Sequence, residues 1–82
     1  MMRYRLSKHA KDVMNERKIR NEWVERVITA PSLIIEKQRD EVHLYLSIVE
    51  RENRCLKVVI NPVNMIVVTT YFDRDMRKRG CQ

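Results

Sequence analysis

The stretch "EVHLYLSIVERENRCLKVVIN", residues 41–61, decides the fold of this chain. Its two outer parts are rich in β-branched and aromatic residues and alternate apolar with polar side chains, a pattern typical of strands with one buried face. The polar "RENR" between them has the composition of a turn. Because so short a connection joins strands that lie side by side, we predict an antiparallel pair formed by residues 41–50 and 54–61.

Two more predicted strands flank this pair in the sequence. The segments "SLIIEK" and "MIVVTTYF" have the same composition, and the polar "QRD" and "NPVN" separate them from the central pair. Short connections favour contact between strands that follow one another along the chain. We therefore predict an antiparallel sheet of about four strands, over residues 32–37, 41–50, 54–61 and 65–72.

Alternation along these strands sorts their side chains onto two faces. One face is apolar and is expected to pack against helices; it is formed by Val42, Leu44, Leu46, Ile48, Leu56, Val58, Ile60, Ile66 and Val68. The other face is half polar and combines Val59 and Val67 with His43, Tyr45, Ser47, Cys55, Lys57, Thr69 and Tyr71. A solvated sheet face has such a composition without any function, but tyrosines and a lysine also suit RNA contacts through stacking and phosphate pairing.

Two helices are predicted ahead of the sheet. Ser7 is suited to cap the first, and the apolar residues after it recur with helical spacing, which predicts a helix over 8–18. The segment "NEWVERVITAP" predicts a second helix over 22–30, with Asn21 as its cap. The predicted fold class is thus α+β, a single domain of residues 1–82 in which both helices cover one face of the sheet.

Positive charge is concentrated at the two ends of the chain. The 82 residues include 17 Lys and Arg against 11 Asp and Glu, a formal net charge of +6. Residues 1–20 hold seven bases and two acids, the basic tail of residues 74–82 holds four and one, and the residues between them hold six and eight. Such asymmetry suits a polyanionic partner because neutralised phosphates release counterions, although solvated basic surface accounts for it equally well.

The cysteines and the apolar segments limit the class of protein. Cys55 and Cys81 lack the paired spacing of metal-binding cysteines, so we expect no metal or other cofactor, and we expect both thiols to be reduced. No apolar run approaches the roughly 18 residues of a membrane helix, and the N-terminal residues do not resemble a signal peptide. The sequence accordingly predicts a cytoplasmic protein that has no membrane partner.

His9 and Arg17 have unusual positions in the first predicted helix. His9 lies in the first turn, where the helix dipole disfavours an imidazolium, and a neutral imidazole there is suited to act as a general base. Arg17 is in line with the apolar stripe, so its guanidinium either extends into solvent beside the helix C-terminus or reaches a bound phosphate. For both residues an ordinary structural role is the alternative to a functional one.

Three segments together resemble a small prokaryotic family catalogued as domain of unknown function DUF4258. They are "SKHAKDVMNERKI", with its His-Ala pair and Glu-Arg-x-Ile ending, "EWVERVITAP", and the closing "LKVVIN" and "MIVVTTYF", which together cover nearly the whole chain. Members of that family look like remote relatives of the RelE and BrnT toxins, in which helices precede an antiparallel sheet and RNA is cleaved without a metal. The resemblance implies a site at His9 and Arg17, with Thr69, Thr70 and Tyr71 as the next matching positions.

The implied reaction needs a base for the ribose 2′-hydroxyl, a proton donor for the leaving oxygen and cations that stabilise the phosphorane. We predict His9 as the base, Arg17 and Lys57 as the cations, and Tyr71 as a proton donor or stacking residue. The side chains expected to bind RNA around them are Arg3, Arg5, Lys8, Lys11, His43, Tyr45, Thr69, Arg77, Lys78 and Arg79. The alternation pattern leaves open whether His9 and Lys57 reach the same side of the sheet.

Three functional interpretations follow as alternatives. The first is a toxin-like, metal-independent RNA endonuclease of a toxin-antitoxin system, with RNA as substrate and an acidic antitoxin as partner. The second is a non-catalytic RNA-binding or protein-binding module, because the sequence carries no unmistakable catalytic motif. The third is a homodimer formed through an exposed edge of the sheet, which is compatible with either of the others.

Overall fold

The computed structural model describes residues 3–76 and 81, which form an α+β fold. Two helices, α1 (Lys8–Arg17) and α2 (Asn21–Thr29), pack against one face of a five-stranded sheet. The strands are β1 (Arg5–Leu6), β2 (Leu33–Gln38), β3 (Glu41–Ile48), β4 (Arg54–Asn61) and β5 (Ile66–Phe72). The predicted fold class and the two predicted helices are confirmed.

The sheet has the strand order β1-β5-β4-β3-β2. Strands β2 to β5 form the predicted antiparallel meander, whereas β1 pairs in parallel with the start of β5. Because β1 contains only two residues, it shows no alternation that the sequence pattern would reveal. The sheet therefore has five strands where the sequence predicted about four.

The two helices begin differently. In α1 the Ser7 hydroxyl accepts a hydrogen bond from the Ala10 N–H at 3.0 Å, as predicted for a cap. In α2 the capping position belongs to Arg20, whose side chain makes no capping hydrogen bond, and Asn21 is already helical. The expectation that Asn21 caps α2 is therefore wrong by one residue, because the extended backbone conformation required of a cap falls on Arg20.

The main core lies between the helices and the sheet. It combines apolar residues of both helices with the predicted inner face of β3 and β4; its fully enclosed members are Ala10, Val24, Val27, Ile48, Leu56, Val58 and Val67. At the start of β5 the predicted parity is reversed, since Val67 is buried and Val68 is 41% exposed, whereas Thr69 and Tyr71 lie on the predicted face. The cause is a bulge: Thr69 pairs with Val59 but Val67 pairs with Ile60, so Val68 is an extra residue.

Part of the opposite face of the sheet is covered by Met76 and Cys81. Cys55 on β4 forms a disulfide with Cys81, and the Cα atoms of the two residues are 6.0 Å apart. Tyr45 packs with this disulfide, and Leu33, Ile35 and Met76 contact the same small cluster. The expectation of reduced thiols is wrong, because Cys81 lies within bonding distance of Cys55 on β4. The cluster buries only part of this face, since Tyr71 is 39% exposed.

Within residues 3–76, neither helix combines the length and the apolar character that a bilayer crossing demands.

Candidate nucleic-acid interface

Four arginines converge around the end of β5. They line a cleft of about 390 Å³ together with two aromatic residues; the lining residues are Arg17, Arg51, Arg54, Tyr71, Phe72 and Arg74. The arginines come from the last turn of α1, the connection between β3 and β4, the start of β4, and the segment after β5. They meet because antiparallel pairing places the start of β4 opposite the end of β5, where Leu56 faces Phe72. We call this the arginine cleft.

Aromatic rings support two of these guanidinium groups. The Arg51 Cζ atom lies 5.1 Å from the centroid of the Phe72 ring and 5.8 Å from that of Trp23, while the Arg54 Cζ atom lies 4.9 Å from Phe72. Trp23 and Phe72 are themselves in edge-to-face contact at 6.5 Å. Stacking of this kind holds a guanidinium in place while leaving its N–H groups available to a ligand. The cleft therefore contains guanidinium hydrogen-bond donors whose positions are fixed by the neighbouring aromatic rings.

The residues that the structure describes supply no carboxylate partner for the positive charge of the cleft. Among the described residues, side-chain ion pairs join Arg20 to Glu22, Arg26 to Glu50, and His43 to Glu41. No described carboxylate pairs with any of the four cleft arginines. Four uncompensated charges around one cleft favour a ligand that carries several negative charges, since planar guanidinium groups bind phosphate and carboxylate oxygens in pairs.

One ion pair positions the connection that carries Arg51. Arg26 on α2 donates two hydrogen bonds of 2.9 Å to the Glu50 carboxylate. Glu50 lies in a short 3₁₀ helix, Val49–Arg51, directly before the stacked guanidinium. The hydrogen bond from Arg26 lowers the pKa of Glu50 to about 2 and is also the main reason that the pKa of Arg26 is raised. The pair therefore stays ionised at neutral pH and ties the cleft wall to α2.

Lys57 and Tyr71 form a hydrogen-bonded pair beside the cleft. The Lys57 ammonium donates to the Tyr71 hydroxyl oxygen at 3.0 Å, and its Nζ lies 5.8 Å from the centroid of the Tyr45 ring. Burial alone lowers the pKa of Lys57, but the hydrogen bond to Tyr71 and the attraction of both tyrosines outweigh it, so the pKa is raised above 10.5. Lys57 is thus a cation at neutral pH and not a base.

Three of the four residues predicted to be catalytic come together. Arg17 and Tyr71 line the arginine cleft, and Lys57 is joined to it through Tyr71. His9 is exposed in the first turn of α1 and is not among the residues lining the cleft. It precedes Arg17 by eight residues, a rise of about 12 Å along the helix axis. The geometry thus gives no support to the prediction that His9 is the base.

The residues predicted to bind RNA are divided among three regions. Arg3, Arg5, Lys8 and Lys11 are exposed at the N-terminal side, where Arg5 and Lys11 line a separate shallow depression with Leu6, Ser7 and Ile66. Thr69 is half-buried on β5. Arg77, Lys78 and Arg79 lie outside the described residues.

Two of the predicted RNA contacts are corrected. His43 is 8% exposed and Tyr45 is 3% exposed, and the Nε2 atom of His43 is hydrogen-bonded to Glu41 at 2.8 Å. Neither ring is open to a ligand, because the disulfide cluster packs on Tyr45 and strand β2 lies beside His43, which pairs with Ile35. Tyr45 instead pairs with Lys57 across β3 and β4, and its ring lies near the Lys57 ammonium, so it helps to position the Lys57–Tyr71 pair.

The sequence patterns do not predict three of the four cleft arginines as members of the candidate site. Arg51 and Arg54 belong to "RENR", which was interpreted only as a turn, and Arg74 was grouped with a basic tail. A signal was present, because the turn between two antiparallel strands lies at the same end of the sheet as the end of the next strand. Applied to β3, β4 and β5, that rule places the "RENR" arginines beside Phe72.

Comparison with known proteins identifies a family. No curated protein matches the chain, and no solved structure matches it either. A family model described as "Domain of unknown function (DUF4258)" matches residues 6–72. That match spans both helices and the strands β2 to β5, and it includes all the cleft residues except Arg74. The chain therefore belongs to the DUF4258 family.

Proposed function

We propose that the arginine cleft binds the phosphates of RNA and that the Lys57–Tyr71 pair beside it takes part in cleaving the strand without a metal ion. The observation that carries this proposal is the meeting of four arginines, which have no carboxylate partner in residues 3–76, with a hydrogen-bonded lysine and tyrosine. Phosphoryl chemistry without a metal needs concentrated cationic charge, which this surface supplies. The protein is proposed to be a toxin-like RNA endonuclease.

The composition of the cleft favours single-stranded RNA over a small anion. Tyr71 is 39% exposed and lines the cleft, and the guanidinium of Arg54, whose Cζ atom lies 4.9 Å from the Phe72 ring centroid, offers a second planar group. Unpaired bases stack on such tyrosine rings and guanidinium planes, while the neighbouring arginines bind the phosphates between them. A free phosphate would bind to the arginines but would not stack on the aromatic rings.

The proposed reaction is an intramolecular transesterification. The ribose 2′-oxygen forms a bond to the adjacent phosphorus, the bond from phosphorus to the 5′-oxygen breaks, and a 2′,3′-cyclic phosphate and a 5′-hydroxyl remain. Arg17 and Arg54 stabilise the charge on the phosphorane. Because Tyr71 accepts a hydrogen bond from Lys57, its own proton is free to pass to the leaving 5′-oxygen. Water takes the 2′-proton and returns a proton to Tyr71.

A non-catalytic RNA-binding module is the second candidate. One observation favours it: the described residues that line the cleft include no imidazole and no carboxylate that would act as a strong general base. In that case the same arginines bind RNA and the Lys57–Tyr71 pair only orders the surface. The two candidates differ in whether the bound strand is cut.

We further propose the setting in which such an activity is tolerated by a cell. A cytoplasmic ribonuclease has to be kept inactive, and an acidic protein partner that covers the arginine cleft serves this purpose by pairing its carboxylates with the free guanidinium groups. The partner is thus proposed to be an antitoxin that competes with RNA for the cleft. Binding of such a partner to the protein should weaken as salt is raised.

The experiment incubates the purified protein with 5′-labelled single-stranded RNA in excess chelator and analyses both fragment length and end chemistry. Fragments ending in a 2′,3′-cyclic phosphate, absent with Lys57→Met, support the endonuclease. Retained binding with intact RNA supports the second candidate. The absence of both binding and cleavage contradicts the proposed function.

A further inference from the structure

The C-terminal segment is fastened to the sheet at two points. At its start, the Asp73 N–H donates to the Cys55 carbonyl at 2.8 Å, and the Asp73 carboxylate accepts from the N–H groups of Asp75 and Met76 at 3.0 and 3.3 Å. At its far end, Cys81 is bonded to Cys55 and its N–H donates to the Met76 carbonyl at 3.1 Å. Both fastenings converge on Cys55, so the chain between Asp73 and Cys81 is closed into a loop at that residue.

This loop connects the disulfide to the arginine cleft. Arg74, which lines the cleft, lies between the two fastenings. On the sheet side, Cys55 and Lys57 are two residues apart on β4 and so point to the same face. Tyr45 lies between them, since it packs with the disulfide and its ring lies 5.8 Å from the Lys57 Nζ atom. The disulfide is therefore linked to Lys57 through Tyr45, and to the segment that carries Arg74 through the hydrogen bond from Cys81 to Met76.

We propose that the Cys55–Cys81 disulfide is a redox switch that regulates RNA binding in the arginine cleft. In the oxidised protein the closed loop holds Arg74 at the cleft and keeps Tyr45 against Lys57. In the reduced protein the far fastening is lost, and Arg74 is held only by the hydrogen bonds of Asp73. The inference rests on the proposed function, because it concerns the affinity of that same site.

Two features make this disulfide suited to regulation. The bond belongs to a small cluster separate from the main core, which lies on the other face of the sheet, so breaking it leaves that core intact. In a reducing compartment such bonds form transiently and report oxidation. The oxidised state would thus be the state with high RNA affinity, reached under oxidative conditions.

Reduction requires a dithiol as co-reactant. One thiolate of the dithiol attacks a sulfur of the disulfide, forms a mixed disulfide and releases the other cysteine as a thiolate; the second thiolate of the dithiol then closes its own disulfide and releases the first cysteine. Two electrons pass from the dithiol to the protein. Since Cys55 and Cys81 are 2% and 4% exposed, the loop has to open before the attack, and reduction is expected to be slow.

The test compares RNA affinity before and after reduction. Full-length protein is oxidised in air, its disulfide is verified by alkylation and mass measurement, and its Kd for a single-stranded RNA is measured with and without dithiothreitol. We expect RNA binding to be about three- to tenfold weaker after reduction, because Arg74 then makes a weaker charged hydrogen bond to the RNA. Cys81→Ser is the matched control and should bind like the reduced wild type in both conditions.

The outcomes separate this inference from the proposed function. Free thiols in the air-oxidised protein, or equal or tighter binding after reduction, overturn the switch while leaving the RNA site intact. No RNA binding in either state contradicts the proposed function itself. Arg74→Gln tests the route: the oxidised variant should bind like reduced wild type and should respond little to dithiothreitol, and a full response would overturn the role of Arg74.

Discussion

The first and last turns of α1 differ in what the fold assembles around them. In the first turn, His9 is exposed and makes no side-chain hydrogen bond to the described residues. In the last turn, Arg17 lies with three other arginines and two aromatic residues that come from four other parts of the chain. His9 has a side chain suited to catalysis, but it does not line the arginine cleft. Arg17 belongs to the candidate site because the fold brings other arginines and aromatic rings next to it.

The largest expected effect comes from replacing Lys57 or Tyr71, the hydrogen-bonded pair proposed to take part in cleavage. Lys57→Met keeps the aliphatic stem between the two tyrosines but removes the ammonium, and Tyr71→Phe removes only the hydroxyl. If the pair supplies charge and a proton, each change should lower the rate of RNA cleavage by about 100-fold or more. Single-turnover cleavage in excess chelator measures this. A rate within twofold of wild type for both variants would exclude the pair from catalysis.

The affinity for RNA should depend on the arginines of the cleft, which lies beside the last turn of α1. We expect Arg54→Gln to weaken single-stranded RNA binding about tenfold and to reduce the slope of log K against log salt by about 0.7, the value for one phosphate contact on a single strand. Lys11→Gln, near the other end of α1, is the matched control for lost charge. Equal losses in the two variants would indicate diffuse attraction to a basic surface and not a defined cleft.

A smaller effect is expected from the ion pair that supports the cleft wall. Glu50→Gln should weaken RNA binding about two- to threefold, because it loosens the connection that carries Arg51 without changing any ligand. A circular dichroism melt and an RNA titration on the same sample separate stability from binding. Stronger binding by the variant would show that the lost negative charge matters more than the lost anchor.

The same pair has a defined pH dependence. The pKa of Glu50 is lowered in the folded protein from 4.5 to about 2 by the hydrogen bond from Arg26, so its contribution to stability is complete above pH 4.5 and is lost as the pH falls towards 2. The difference in Tm between wild type and Glu50→Gln should therefore shrink over that interval. A difference that is the same at pH 7 and at pH 2.5 would contradict this role.

The smallest effect is expected at the first turn of α1. Because His9 does not line the cleft, His9→Ala should change both RNA affinity and cleavage rate less than about twofold, the range expected of an exposed residue outside a site. The same assays used for Lys57→Met measure this. A loss comparable with that variant would mean that RNA extends along α1 and that His9 is the base after all.

Much of the fold was predictable because it depends on local patterns. Alternation in β3 and β4 and helical spacing after Ser7 led to the correct class, the two helices and the antiparallel meander. What escaped prediction depends on contacts between distant residues. The bulge at Val68 reverses the predicted faces at the start of β5, and the bond from Cys55 to Cys81 joins residues 26 apart in sequence without any local signal.

The candidate site was predictable only in part, for the same reason. Arg17 and Tyr71 were selected by position and resemblance, and they do meet. Arg51 and Arg54 were not selected, since charged residues in a turn are usually solvated and only the pairing of β4 with β5 brings them to Phe72. A basic residue in a hairpin turn becomes a candidate site residue when the following strand ends beside that turn.

The central claim is that RNA lies in the arginine cleft, and photochemical cross-linking tests it most directly. A single-stranded RNA containing 4-thiouridine is irradiated with the wild-type protein, and the modified peptides are mapped by mass spectrometry. We predict cross-links to Tyr71 or Phe72, the aromatic residues of the cleft, and their loss when Arg17 and Arg54 are both replaced by glutamine. Cross-links confined to the N-terminal basic residues around Arg5 and Lys11 would contradict the account.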